Sequence, residues 1–159
     1  MKYIKQIIVA LIVLVAGYFG IDLTQNHQST QPTASQLAEQ HTASQQRKDE
    51  AHKIAQAFQQ RRSDVQVQGV GQVIAVLPDD NKGSRHQKFL LKLSNGITIL
   101  VAHNIDLAPR INGLKKGDTV EFYGEYEYSE KGGVIHWTHH DPQKRHVGGW
   151  LKHNNKVYE

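Results

Sequence analysis

Apolar and polar positions follow two different periods along this chain, and the change falls near residue 64. Before it, Ala51, Ile54, Ala55 and Phe58 recur at three- and four-residue intervals among Lys48, Asp49, Glu50, Lys53, Gln59 and Arg61, which predicts one amphipathic helix over 47–63. The apolar stripe is narrow and half alanine, so it suits docking on a following domain better than lying on a membrane. After it the period is two. Val65 and Val67 alternate with glutamines, and Gly69 and Gly71 interrupt before the run from Gln72 to Leu77, as in a long strand bent at a barrel corner.

The segment from Pro78 to Ser84 is turn chemistry, and His86 to Leu93 is a second strand with Phe89, Leu91 and Leu93 on one face. Ile97, Ile99 and Val101 mark a third strand, followed by an irregular connector from Ala102 to Arg110. Val120, Phe122, Gly124 and Tyr126 alternate with Thr119, Glu121, Tyr123 and Glu125 in a fourth, and Val134 to His140 reads as a fifth. A short hairpin turned by Asn154-Asn155 ends the chain. Five strands, a long connector between the third and fourth, and glycines in the first predict a mainly β fold, a small five-stranded OB-fold-like Greek-key barrel over 64–159. An SH3-like barrel is the main rival. Helical periodicity occurs only before the strands, which argues against a layered α/β fold.

The N-terminal part adds delivery. Lys2 and Lys5 precede a charge-free run from Gln6 to Ile21, at the short end of the about 17 to 25 residues that span a bilayer. Residues 1–23 are therefore expected to be a signal anchor or signal peptide, with the N-terminus inside and the rest exported. The expected location is the inner membrane facing the periplasm, or the periplasm or exterior if the segment is cleaved. Residues 24–46 are rich in Gln, Ser, Thr and His with few large apolar groups, and read as a polar flexible linker.

The formal charge of +4 changes this picture little. Up to Ser63 there are 7 Lys and Arg against 4 Asp and Glu, and from Asp64 onward 12 against 11, so the domain itself is nearly neutral. Nucleic acid as a partner is not favoured at neutral pH. There is no cysteine, which excludes disulfides, thiolate zinc sites and thiol redox chemistry.

The candidate chemistry lies in the last third. From His136 to Trp150 the chain holds four of its ten histidines and both tryptophans. In a regular strand Ile135, Trp137 and His139 share the core face while His136 and His140 stand on the other, roughly 13 Å apart, too far to share a metal. Chelation needs the strand to end early, so that His139, His140, Asp141 and His146 fold round one divalent ion such as zinc. If the fifth strand pairs parallel to the third, three polar segments meet at one rim, and His86, His103, Asp106 and Arg110 join as ligand-binding candidates. Trp150, after Gly148-Gly149, is either a barrel plug or a stacking platform for a base or sugar.

The segments VLPDDNKGSRHQKF, AHNIDLAPR, GDTVEFYGEYE and HWTHHDP followed by GGW span about Val65 to Tyr158. Through them the chain resembles an uncharacterised bacterial family, a domain of unknown function whose hallmark is HWTH, here His136 to His139. The resemblance implies a bacterial exported domain and assigns no activity. A second likeness, to the OB-folded thermonucleases, covers only Ile105 to Arg110; it has one residue too many and arginine where that family has a catalytic glutamate, so no nuclease activity follows.

The sequence thus points to an exported OB-like binding module whose His/Asp-rich rim takes a ligand or metal ion. One alternative is a metal-dependent hydrolase, of phosphodiesterase or nuclease type, on the same rim. Another is a structural envelope protein acting through its linker and helix.

Overall fold

Val120, Phe122, Gly124 and Tyr126 are buried along β4 (Thr119–Glu127), while Glu121, Tyr123 and Glu125 lie on its outer face, as the alternation requires. The same pattern holds in β2 (His86–Leu93), where Phe89 and Leu91 are fully buried, and in β3 (Thr98–Asn104), where Ile99 and Val101 are. The computed structural model describes residues 33–159; the expected signal or anchor segment and the first part of the expected linker lie outside the described residues. No helix among the described residues is long and apolar enough to cross a membrane.

The strands close a barrel. β1 (Val65–Val76) pairs antiparallel with both β2 and β4, β2 pairs antiparallel with β3, β3 runs parallel to β5 (Val134–His136), and β5 returns antiparallel to β4. This is the expected five-stranded Greek-key circuit with one parallel pair. β1 can serve two partners because it bends: Val65 to Gln72 face β4, and Gly71 to Val76 face β2 with a register shift between Val73 and Ala75. Gly69 stands at the bend, where a Cβ would lie 2.6 Å from Phe122 Cζ, so only glycine lets the strand cross that buried ring. β6 (Trp150–His153) and β7 (Lys156–Tyr158) extend the sheet beside β4 through a turn whose Asn154 and Asn155 both have positive φ, 49° and 60°. That is the hairpin turn for which the Asn-Asn pair is suited.

The helix, α1 (Ala34–Gln59), begins earlier than the apolar stripe suggests. Residues 34–46, expected as flexible linker, are helical, because Ala34, Leu37, Ala38, Glu39 and Gln40 favour helix without needing a buried face. That half is exposed almost all round, and only the C-terminal half docks. Ile54 and Ala57 enter the core, Asn95 Nδ2 donates to Ala51 O at 2.7 Å, and Lys53 Nζ donates to Gln66 O at 2.8 Å. Arg61 takes φ 52° just beyond the helix, so the chain has left it before residue 63.

Two strand ends differ from the sequence reading, and both bear on function. β3 continues to Asn104 rather than Val101, and β5 stops at His136 rather than His140.

Candidate functional site

The parallel pairing of β3 and β5 brings the connectors after β1, β3 and β5 to one rim, as expected. Their charged residues are mostly used to join them. Arg85 donates from its backbone N and its Nε to the two carboxylate oxygens of Asp106, each at 2.7 Å, and Arg110 reaches Asp79 through Nε at 2.9 Å and a second guanidinium nitrogen at 3.3 Å. The Arg85 amide and guanidinium hold the Asp106 carboxyl below its usual range. Gln87, fully buried, exchanges two hydrogen bonds with the backbone of Ile111, one in each direction at 2.9 Å, and so pins the β3–β4 connector to β2. Asp106 and Arg110, expected as ligand contacts, are parts of this loop framework.

His103 closes the framework from inside. It is fully buried, with Nδ1 2.8 Å from Thr138 Oγ1 and Nε2 3.2 Å from Pro109 O. A carbonyl only accepts, so Nε2 carries the proton and Nδ1 accepts from the Thr138 hydroxyl. Burial is the main reason its pKa falls to about 4, with His139 and His86 pushing the same way. His103 is thus a neutral internal tie and is not presented to a ligand.

The decisive local feature is Trp137. Its φ of 51° is a left-handed conformation, uncommon for a bulky L-residue, and it ends β5 one residue after His136. The alternation is thereby broken: Thr138, not Trp137, enters the core, His139 after it is buried as well, and the indole turns outward and is partly exposed. Two glycines make space for this turn. A Cβ on Gly149 would lie 2.1 Å from Trp137 O and 2.4 Å from Tyr123 O, and one on Gly124 would lie 2.5 Å from His136 O. Gly149 N also donates to His139 O at 3.0 Å. On the outside, the His146 ring stacks on Trp137 with centroids 3.9 Å apart and planes 16° from parallel, while His139 lies 5.4 Å from the indole. The result is an open cleft of about 350 Å³ lined by His86 of β2, Ala102 and Asn104 of β3, Leu107, and His136, Trp137 and His139 of the turn.

The chain from residue 37 to 159 matches the family described as Protein of unknown function (DUF3465). The protein belongs to the DUF3465 family. No curated protein matches the chain. The matched part covers nearly all of α1 and the whole barrel, so the docked helix belongs to the DUF3465 domain as much as the strands do.

The compact metal set expected from the sequence does not assemble in the DUF3465 domain. His139 Nδ1 donates to His140 O at 2.7 Å, His140 Nε2 stands 3.5 Å from Glu159 Oε1, and His146 is stacked on Trp137. Asp141 accepts backbone N–H bonds from Gln143, Arg145 and His146 at 2.9, 2.7 and 2.9 Å, bonds that hold its carboxyl below the usual range and commit it to its own turn. Among the described residues, the group of three or more histidine, cysteine, aspartate or glutamate side chains whose ligand atoms lie within 4.8 Å of one another is Glu125, Glu127 and His136. Of the ligand candidates, His86 lines the cleft, whereas Trp150 borders a different depression with Gln68, Glu121 and Lys152. Its ring lies 6.3 Å from that of Tyr123.

Sequence reasoning missed Gln87, Thr138, Asn104 and Leu107. A buried glutamine in an otherwise apolar alternation was the available signal for Gln87, since its position matches the inward set of β2. Thr138 and the outward turn of Trp137 depend on a single backbone torsion and leave no mark on composition.

Proposed function

We propose that the DUF3465 domain is a bacterial binding module, exported by its N-terminal apolar segment and held at the inner membrane or released beyond it. Its ligand is a small molecule or polymer end with a flat ring and a hydrogen-bonding edge, of the kind a nucleobase or a sugar presents. The observation that carries the reading is the outward, conformationally strained Trp137, stacked by His146 and set beside His86, Asn104, His136 and His139. An indole supplies rigid apolar area, imidazoles and an amide supply direction, and Ala102 and Leu107 supply an apolar lining. Binding is favoured over metal-dependent hydrolysis at the rim because Asp79, Asp106 and Asp141 are already committed to arginines or to loop amides.

Calorimetric titration of the full-length chain with uridine and adenosine monophosphates, N-acetylglucosamine and chitobiose tests this. Trp137→Ala is expected to weaken binding about tenfold or more, since stacking on an aromatic ring is worth about 1–3 kcal/mol, and Trp150→Ala to leave it unchanged. Loss on Trp150→Ala with retention on Trp137→Ala, or no binding by any of the four, would sink the reading.

A further inference from the structure

The outer wall between β4 and β5 carries a second feature. Glu125 is directly opposite His136 across the antiparallel pair, and Glu127 is two residues along the same face of β4. One ligand atom from each of the three lies within 4.8 Å of the others. Ligands bonded to one ion at about 2.0–2.2 Å stand roughly 3–4 Å apart, so small side-chain adjustments close the set.

The polar accounting around Glu125 is incomplete in one direction. Among the described residues, two buried side-chain polar atoms lack a hydrogen-bond partner, His136 Nε2 and Gln66 Nε2, each with less than 1 Å² accessible to solvent. Both flank Glu125: Gln66 of β1 pairs with it on one side and His136 on the other. Glu125 Oε1 is 3.5 Å from His136 Nε2 without hydrogen-bond geometry. A buried polar atom left without a partner is destabilising, so two beside one carboxylate call for a missing partner. Neither Glu125 nor Glu127 has a lysine or arginine within 4 Å among the described residues.

We propose that Glu125, Glu127 and His136 bind a divalent transition-metal ion of the zinc class. One imidazole nitrogen with two carboxylates and no thiolate suits zinc, manganese or cobalt, whereas calcium and magnesium favour all-oxygen sets. The ion takes the lone pair of His136 Nε2 and neutralises the paired carboxylates. The Gln66 amide, whose oxygen and nitrogen exchange places by a flip, completes the row beside it. Three protein ligands leave a coordination position open. The site adjoins the cleft through His136, which belongs to both, but the metal proposal does not rest on what fills the cleft.

The test uses the full-length chain without a polyhistidine tag, stripped by chelator, and titrated with zinc by calorimetry and with cobalt by visible absorption. One equivalent is expected to bind at micromolar concentration or tighter and to raise the thermal midpoint. Glu127→Gln and His136→Gln are each expected to weaken binding by at least the roughly 10–100-fold that loss of an outer-sphere partner costs. Glu127→Gln is nearly isosteric and keeps the variant folded, and circular dichroism verifies this. A triple change of His139, His140 and His146 to alanine is expected to leave binding intact. Absence of binding below about 1 mM, which corresponds to only about 4 kcal/mol, overturns the proposal. So does binding that survives Glu127→Gln and His136→Gln but is lost in the triple variant. Nucleotide or sugar binding measured with and without zinc reads the cleft separately.

Discussion

Gly149→Ala destabilises the domain by about 3 kcal/mol or more and lowers its thermal midpoint by roughly 10 °C, while Gly148→Ala next to it is tolerated. The difference comes from what each added methyl group meets. At Gly149 the obstacles are two backbone oxygens, Trp137 O at 2.1 Å and Tyr123 O at 2.4 Å, which no side-chain rotation can move. At Gly148 the nearest atom is His140 Nδ1 at 3.3 Å, on an exposed ring free to yield. Relief at Gly149 requires the His136–His139 turn to part from β4 and β6, breaking the bond from Gly149 N to His139 O. The same variant should therefore disturb the cleft in whatever fraction remains folded. Urea unfolding of both variants checks this, and equal stability of the two would mean that Gly149 does not clamp the turn.

Acidification between pH 6.5 and pH 4 removes about 3 kcal/mol of stability through His103 alone. The sign follows from the depressed pKa. The unfolded chain takes up a proton near pH 6.5, whereas the folded state refuses it until about pH 4. Across that window the unfolded state binds more protons, so stability falls with pH, and below it both states are protonated and the slope ends. His136, whose pKa burial also lowers against the opposing pull of Glu125 and Glu127, acts in the same direction. Asp80, Asp106, Asp118 and Asp141 have carboxyls held below 3.8, so their contribution is present above that pH and lost only in stronger acid. The two effects therefore separate along the pH axis. His103→Gln should be less stable at pH 7, having lost the tie between Thr138 and Pro109, yet its unfolding free energy should be much flatter from pH 6.5 to 4. Parallel pH profiles for the two proteins would rule out His103 as the source.

How much of this was legible in the sequence depended on whether a feature was repeated or singular. The inward set of β4, Val120 to Tyr126, is written in four consecutive alternations, and the barrel follows from five such patterns with their turns. The rim was legible too, because parallel pairing of the third and fifth strands fixes which connectors meet. The first half of α1 was not, because its low apolar content carries no sign of order, while a helix of Ala, Gln, Glu and Leu can form by local propensity without burying a face. The orientation of Trp137 was beyond periodicity. One residue with positive φ breaks the alternation and buries Thr138 and His139 in succession, whereas a strand drawn through His140 put the indole inside and Thr138 outside. Glu125, Glu127 and His136 needed register as well as alternation, since only the pairing of Glu125 with His136 brings two separate segments to one point.

The turn beginning at Trp137 is the proposed ligand site. The chain has two tryptophans, and selective ¹⁵N labelling gives each indole its own signal, assigned with Trp137→Phe and Trp150→Phe. Titration of the labelled full-length chain with the nucleotides and sugars named above is expected to shift the Trp137 indole resonance in a saturable manner and leave that of Trp150 in place. A saturable shift at Trp150 alone, or no movement of either signal with any of these ligands, would exclude the Trp137 turn as the ligand site.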